Sequence, residues 1–374
     1  MTLDKRAEDL ASLVLDYSIN IKPGNNLLIK SEQPFEEFAR LIGMTAAKKG
    51  VNVIYDIFSL EKEKQLINMS DDAELKKESK RICNLAEQAT KVVLVDAESN
   101  PFYLQDVDPK KIAKHAEIVK KPFSERVAGN GKEFKEIKYI WVAFPCESYA
   151  KEAGMTLEEY TDFVYKATLT DWPKMKEQMK RVKEVFDDAE EVHIYGPGMT
   201  NLRLSLKGRG GQICGGKCNM PDGEVFYGPV EDSANGVIHF PYPTIRDGNI
   251  VSGITLEYKD GEVVSFNAEK NKAFLESMLN LEGVKRIGEL GIGCNQGITK
   301  YMNNLLFDEK IGGTIHIAIG DSYKEPLNDG GGLNEGKIHW DLVCDLREIN
   351  NSPCGNIYVN GKLVQKNGIW TFNN

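Results

Sequence analysis

Asn26-Leu27-Leu28-Ile29-Lys30, then Pro34, then Val51-Asn52-Val53-Ile54-Tyr55-Asp56: two short apolar runs flank a stretch that Pro34 opens as a helix running through Lys49. Runs this short and this rich in Leu, Ile and Val read as buried strands. Strand, helix, strand in that order is the pattern of a βαβ unit with parallel strands. The pattern continues outward. Residues 4–18 carry Leu10, Leu13, Val14 and Tyr17 at helical spacing ahead of the first strand. A charged helical stretch from Asp72 to Gln88 leads into Lys91-Val92-Val93-Leu94-Val95-Asp96, and more helix leads to Tyr139-Ile140-Trp141-Val142-Ala143-Phe144. The first half is therefore expected to be an α/β domain with a mainly parallel sheet. No Gly-x-Gly-x-x-Gly follows these strands, so the sheet alone does not imply a dinucleotide.

Residues 156–188 read as a long amphipathic helical region, broken once near Asp171-Trp172-Pro173. Beyond it the texture changes. Val192-His193-Ile194-Tyr195, Leu202 to Leu206, Val251 to Tyr258 and Glu262 to Phe266 are strand-like, separated by Gly, Asp and Asn turns. Lys259-Asp260-Gly261-Glu262 signals a hairpin. The boundary is expected near residue 185, giving an N-terminal α/β domain over 1–185 and a C-terminal α+β domain over 186–374. A chain of 374 residues suits two cores better than one.

Composition excludes several classes. Hydrophobic residues at 41% and charged residues at 28% are ordinary for a soluble globular protein. No apolar run approaches the ~18–20 residues of a membrane span. The first ten residues mix charges where a signal peptide needs an apolar segment, so a cytoplasmic location is expected. Seven scattered cysteines suit a reducing compartment. A net charge of −9 argues against a nucleic-acid surface.

Three local motifs are weak. Cys214-Gly215-Gly216-Lys217-Cys218 has spacing compatible with half a zinc site, but no second Cys or His pair follows at the required distance. Gly320-Asp321-Ser322 resembles an esterase nucleophile block but stands late in the chain, followed by His-x-Asp. Nothing near Cys146 marks an activated thiol.

A stronger signal lies in polar groups set into apolar or glycine-rich strands. His339 and Asp341 stand two apart in Ile338-His339-Trp340-Asp341, so a strand would point both to one face. His316 lies in Thr314-Ile315-His316-Ile317-Ala318-Ile319, and the chain has only five histidines. Glu224 and Glu289 also sit between apolar neighbours, where a lone carboxylate is costly to bury. Each has a bland reading: a core histidine bonded to a backbone carbonyl, or a glutamate paired with an arginine, for which Arg286 competes at Glu289. Together the five form a ligand set for two divalent cations. Three carboxylates against four positive charges leave room for a bridging hydroxide. Mixed O and N donors favour zinc, cobalt or manganese, with magnesium possible.

At these residues the chain resembles the thermophilic metalloprotease family, metallo-aminopeptidases of the aminopeptidase T and aminopeptidase S type. The resemblance runs over essentially the whole length. It is carried by Asn219 to Phe226, Pro229-Val230-Glu231-Asp232-Ser233, Glu289-Leu290-Gly291-Ile292-Gly293, Leu306-Phe307-Asp308-Glu309-Lys310, Gly313 to Gly320, and Ile338 to Asp341. It implies Glu224, Glu289, His316, His339 and Asp341 as metal ligands. It also implies Tyr323 as the active-site tyrosine, Glu309 as a further carboxylate, and a homodimer. Asp321 departs from the small residue expected there, and Gly330-Gly331-Gly332 suggests a flexible loop before His339.

The function expected is removal of N-terminal residues from peptides by a metal-activated water. Tyr323 would stabilise the oxyanion or leaving nitrogen, and Glu224 or Glu289 would span the ions, with Glu289 counted with Tyr323 as catalytic. Peptides with a free N-terminus are the expected partners, their ammonium group held by Asp321 or Glu325, with neither nucleic acid nor membrane involved. Two rivals stand beside it: another two-metal hydrolase such as an amidase or phosphoesterase, and a non-catalytic binding protein that uses the α/β domain, with the C-terminal residues purely structural.

Overall fold

A computed structural model describes residues 3–69, 71–129, 137–246, 248–348 and 355–372. The chain divides into two compact units, Met1–Leu169 with Gly216–Pro221, and Thr170–Gly215 with Asp222–Asn374.

The first unit is built on a five-stranded sheet ordered Asn52–Phe58, Asn26–Glu32, Lys91–Asp96, Lys138–Ala143, Asn219–Met220. Every pairing in it is parallel. Its central strands are buried, with Leu27, Leu28, Ile29, Val92, Val93, Ile140 and Val142 fully inside, as parallel strands covered on both faces require. Helices start where side chains satisfy their free N–H groups. Asp71 accepts from Ala73 and Glu74, and Thr156 and Glu159 form a reciprocal capping box. The helical stripe over 4–18 forms Lys5–Leu13, continued by a wider π-turn at Val14–Ser18. The fifth strand comes from far along the chain. At two residues it is too short to show any periodicity in sequence.

Charge is set inside this unit as well. Asp56, buried on Asn52–Phe58, meets Lys30 Nζ at 2.7 Å and Arg81 at 2.9 Å. Burial alone would raise its pKa, but these two cations hold it below the ordinary carboxylate value.

The second unit begins with the helix Trp172–Phe186, capped by Asp171, and residue 185 falls within its last turn. Two large antiparallel sheets follow, with a two-stranded one, Thr244–Arg246 and Asn249–Val251, beside them in sequence. One has eight strands and contains the Asp260-Gly261 hairpin, both turn residues at positive φ (49° and 82°). The other has five, ordered His339–Asp345, Thr314–Gly320, Ile287–Gly293, Glu224–Tyr227, Gln212–Cys214. The middle strands of this second sheet are buried along their whole length. Among the described residues no helix is long and apolar enough to cross a membrane.

Candidate metal centre

Register brings the polar residues of the five-stranded sheet together. Glu289, Ala318 and Asp341 lie directly across from one another on three adjacent strands, so their side chains leave the same face. His316 and His339 stand two residues before Ala318 and Asp341 and share that face. Glu224 joins it from the fourth strand, opposite Gly293. The floor beneath these side chains is made of small residues. A Cβ on Gly291, directly across from His316, would come within 1.8 Å of the ring, and one on Gly293 would meet the Ile311 carbonyl at 2.0 Å.

The donors face inward at short range. His316 Nε2 lies 3.0 Å from Glu289 Oε1 and 3.6 Å from Glu224 Oε2, and His339 Nε2 lies 3.2 Å from Asp341 and 3.5 Å from Glu289 Oε2. Thus Glu289 offers one oxygen to each histidine. The other ring nitrogen of each imidazole is tied down: His316 Nδ1 donates to the Glu309 carbonyl at 3.1 Å and His339 Nδ1 to the Asp321 carbonyl at 2.7 Å. A carbonyl only accepts, so Nδ1 carries the proton and Nε2 of the neutral ring turns a lone pair towards carboxylate oxygens. That arrangement needs a positive charge between them. Metal-ligating histidines are oriented in this way.

The same carboxylates shift the titration of both rings. Burial alone would lower the pKa of both histidines, but the carboxylates override it. Glu289 and Glu224 raise His316 to about 10, and Asp341 and Glu289 raise His339 to about 10. Burial pushes Glu224 up to about 8 and raises Glu289 as well. Asp341 moves the other way, its own burial overcome by His339, to about 2. Glu224 Oε2 is buried without a hydrogen-bond partner. A buried acceptor left open in this way is what a cation would satisfy.

The donor chemistry fits a divalent ion. Within mutual reach of 4.8 Å stand Glu224, Glu289 and His316, then Glu289, His339 and Asp341, then Glu309, His316 and Asp341. The first two groups share Glu289. Donors about 3–3.5 Å apart are what ligands near ~2.1 Å from a common ion would show.

Arg286 does not compete for Glu289. It donates to the Glu231 carbonyl and to Glu262 instead. Tyr323, just past the end of the His316 strand, is about half-exposed. Its ring lies 5.1 Å from Phe226 and 5.2 Å from His339. Its burial and the nearby carboxylates, Glu289 and Asp341 foremost, raise its pKa, so the phenol keeps its proton.

The glycine run before His339 is not loose. Gly330, Gly331 and Gly332 are buried and bonded to Gly210, Gly228, Pro326 and Tyr323, and a Cβ on Gly331 would strike the Glu325 carbonyl at 1.8 Å. The glycines allow close backbone approach here. Asp321 serves chiefly through its backbone, its carboxylate being taken by Lys324 and Gly336, while Glu325 is exposed. Ser322 donates to the Gly288 carbonyl, an anchoring bond, and burial raises the Cys146 thiol. Cys214 forms a group with Asp222 and Glu224, while Cys218 belongs to no such group among the described residues. Sequence reading assigned nothing to Lys310, which lies fully buried against Glu309 and 3.8 Å from Glu224.

The sequence profile of the thermophilic metalloprotease (M29) family matches residues 3–370. Aminopeptidase 2 of Geobacillus stearothermophilus is 24% identical over 99% of this chain and 98% of its own. The solved structure of wild-type AmpT from Thermus thermophilus superposes with a TM-score of 0.81 at 22% identity, covering 98% of this chain and 99% of that one. The 2,5-dihydroxypyridine dioxygenase of Pseudomonas putida KT2440 superposes at 0.62 with 14% identity, covering 100% and 99%. At these identities the two structures speak for the fold.

Proposed function

The chain belongs to the thermophilic metalloprotease (M29) family, and from that membership we propose that it is a metal-dependent aminopeptidase, hydrolysing N-terminal residues from peptides. The observation that carries this reading is the meeting of two donor groups, Glu224–Glu289–His316 and Glu289–His339–Asp341, at one glutamate. Two divalent cations match that set, with zinc, cobalt or manganese ahead of magnesium because imidazole is mixed with carboxylate. Such ions supply Lewis-acid polarisation of a carbonyl and a water of lowered pKa.

The chain's own contribution is positional. Glu289 spans the two groups, Glu224 completes one and Asp341 the other. The bonds from Nδ1 to backbone carbonyls keep both imidazoles turned inward. Tyr323, protonated and half-exposed beside His339, is the donor for the oxygen of a scissile carbonyl or for the leaving nitrogen. Catalysis on this reading belongs to the second unit, whose start at Thr170 lies earlier than the boundary near residue 185 expected from sequence. Cytoplasmic location and a homodimer belong to the same proposal.

The test is digestion of a peptide library with and without added Co²⁺, Zn²⁺ or Mn²⁺, beside the same peptides N-acetylated, with light scattering of the enzyme. Metal-dependent release of single N-terminal residues from free peptides, none from acetylated ones, and a dimer mass are expected. Efficient internal cleavage of acetylated peptides would overturn the exopeptidase reading, and a monomer would remove the assembly.

A further inference from the structure

Lys310 is a feature of the centre that the reading above leaves without a role. It is fully buried, which is rare for lysine and costly unless its charge is met. What meets it is acidic. Its ammonium touches the Glu309 carboxylate and stands 3.8 Å from Glu224 Oε1. The two oxygens of Glu224 are thereby distinguished. Oε1 faces the lysine, whereas Oε2 lies 3.6 Å from His316 Nε2 and is buried without a hydrogen-bond partner.

The chain neighbour of Lys310 makes the complementary contact. The Glu309 carbonyl accepts from His316 Nδ1 and fixes that ring. Two consecutive residues therefore hold two donors that come from different strands: Glu309 by its backbone holds His316, and Lys310 by its side chain holds Glu224. The surroundings of Lys310 are acidic throughout: Glu224, Glu309 and the buried Asp222 all lie close enough to favour its charge.

We propose that Lys310 is a positioning residue of the metal centre, a built-in cation that holds Glu224 by Oε1 so that Oε2 alone is presented to the ion on the Glu224–Glu289–His316 side. This rests on the two-ion reading above. The ion on the Glu289–His339–Asp341 side should depend on Lys310 far less, because the ion pairs Lys310 makes are with Glu224 and Glu309 rather than with His339 or Asp341.

The experiment counts ions rather than turnover. Wild-type protein, Lys310→Met, Lys310→Arg and His339→Ala are stripped of metal and titrated with Zn²⁺ by calorimetry, with bound metal measured after dialysis. Wild type should take two equivalents. Lys310→Met should keep one at wild-type affinity and bind the second at least tenfold more weakly. Lys310→Arg, which restores the charge, should recover much of that loss. His339→Ala should weaken the opposite ion. If Lys310→Met does not fold, Lys310→Gln, which stays polar but removes the cation, is titrated in its place with the same expectation. A lysine needed only for packing would lower thermal stability and leave both equivalents at wild-type affinity, and that result overturns the proposal alone. Wild-type protein that takes up no divalent ion overturns the two-ion reading and this one with it.

Discussion

The imidazole of His316 lies over Gly291, its direct partner across the sheet, in space that any Cβ at that position would occupy. The glycine is needed for room, since its φ is not in the left-handed region. Gly291→Ala should displace the ring, lower the affinity for divalent ions at least tenfold and destabilise the fold by ~1–3 kcal/mol, the range for overpacking a tight interior. Metal analysis after dialysis and a thermal melt check this. A variant with wild-type metal content and melting temperature would mean that the ring has another place to go.

Removing metal should abolish turnover and leave the fold intact, because both units bury cores of their own. Rebinding should stabilise, since an ion that binds only the folded state at one hundred times its Kd adds about 2.7 kcal/mol. Chelated and reloaded samples are compared by calorimetry and circular dichroism. Full activity with metal content confirmed near zero would refute the metal mechanism.

Tyr323→Phe removes one hydroxyl from the half-exposed ring beside His339. It should retain metal and lose roughly 10²-fold in kcat, the scale of one lost oxyanion donor. Wild-type kcat would reassign the ring to packing against Phe226.

Asp56 gives a prediction independent of the metal. Its pKa is lower in the folded than in the unfolded chain, because Lys30 and Arg81 outweigh the effect of burial. Such a group stabilises the fold above its unfolded pKa of ~3.9, and that stability is lost as pH falls through the folded value. Asp56→Asn should cost between the ~1 kcal/mol of exposed pairs and the ~3 kcal/mol of buried ones at neutral pH. The variant should also lose less stability than wild type on acidification below about pH 4. Urea melts across that range would show parallel acid limbs if the pair contributes nothing.

What the sequence revealed follows from how local each signal is. Asp72–Gln88 and Lys91–Asp96 lie where their periodicities put them, because a helix stripe or an apolar run is a property of neighbouring residues. The π-turn at Val14–Ser18 and the strand Asn219–Met220 leave no such trace. At the site, the two-residue spacing of His339 and Asp341 is local and legible, whereas the seating of His316 over Gly291 depends on pairing between distant segments. Arg286 illustrates the limit. Three residues from Glu289 in sequence, it is drawn to Glu231 and Glu262, and a bulge between Ile287 and Glu289 shifts the register beyond it. The bland reading of the histidines as carbonyl-bonded was half the truth, since that bond is what turns Nε2 inward. Lys310 was unreadable because its burial is purely tertiary.

The donors are neighbours across the sheet but far apart along the chain, from Glu224 to Asp341. During synthesis the Glu289–Thr314 region can pair early, yet the last two donors arrive only with the strand His339–Asp345. Contacts between segments so distant form late, because the intervening chain must first be ordered. The protein cannot assemble its full set of ligands until that strand has docked. A chain halted before it could still fold its parallel N-terminal sheet through Lys138–Ala143, but it would lack both His339 and Asp341. Docking of that strand and acquisition of a complete metal centre are thereby one event.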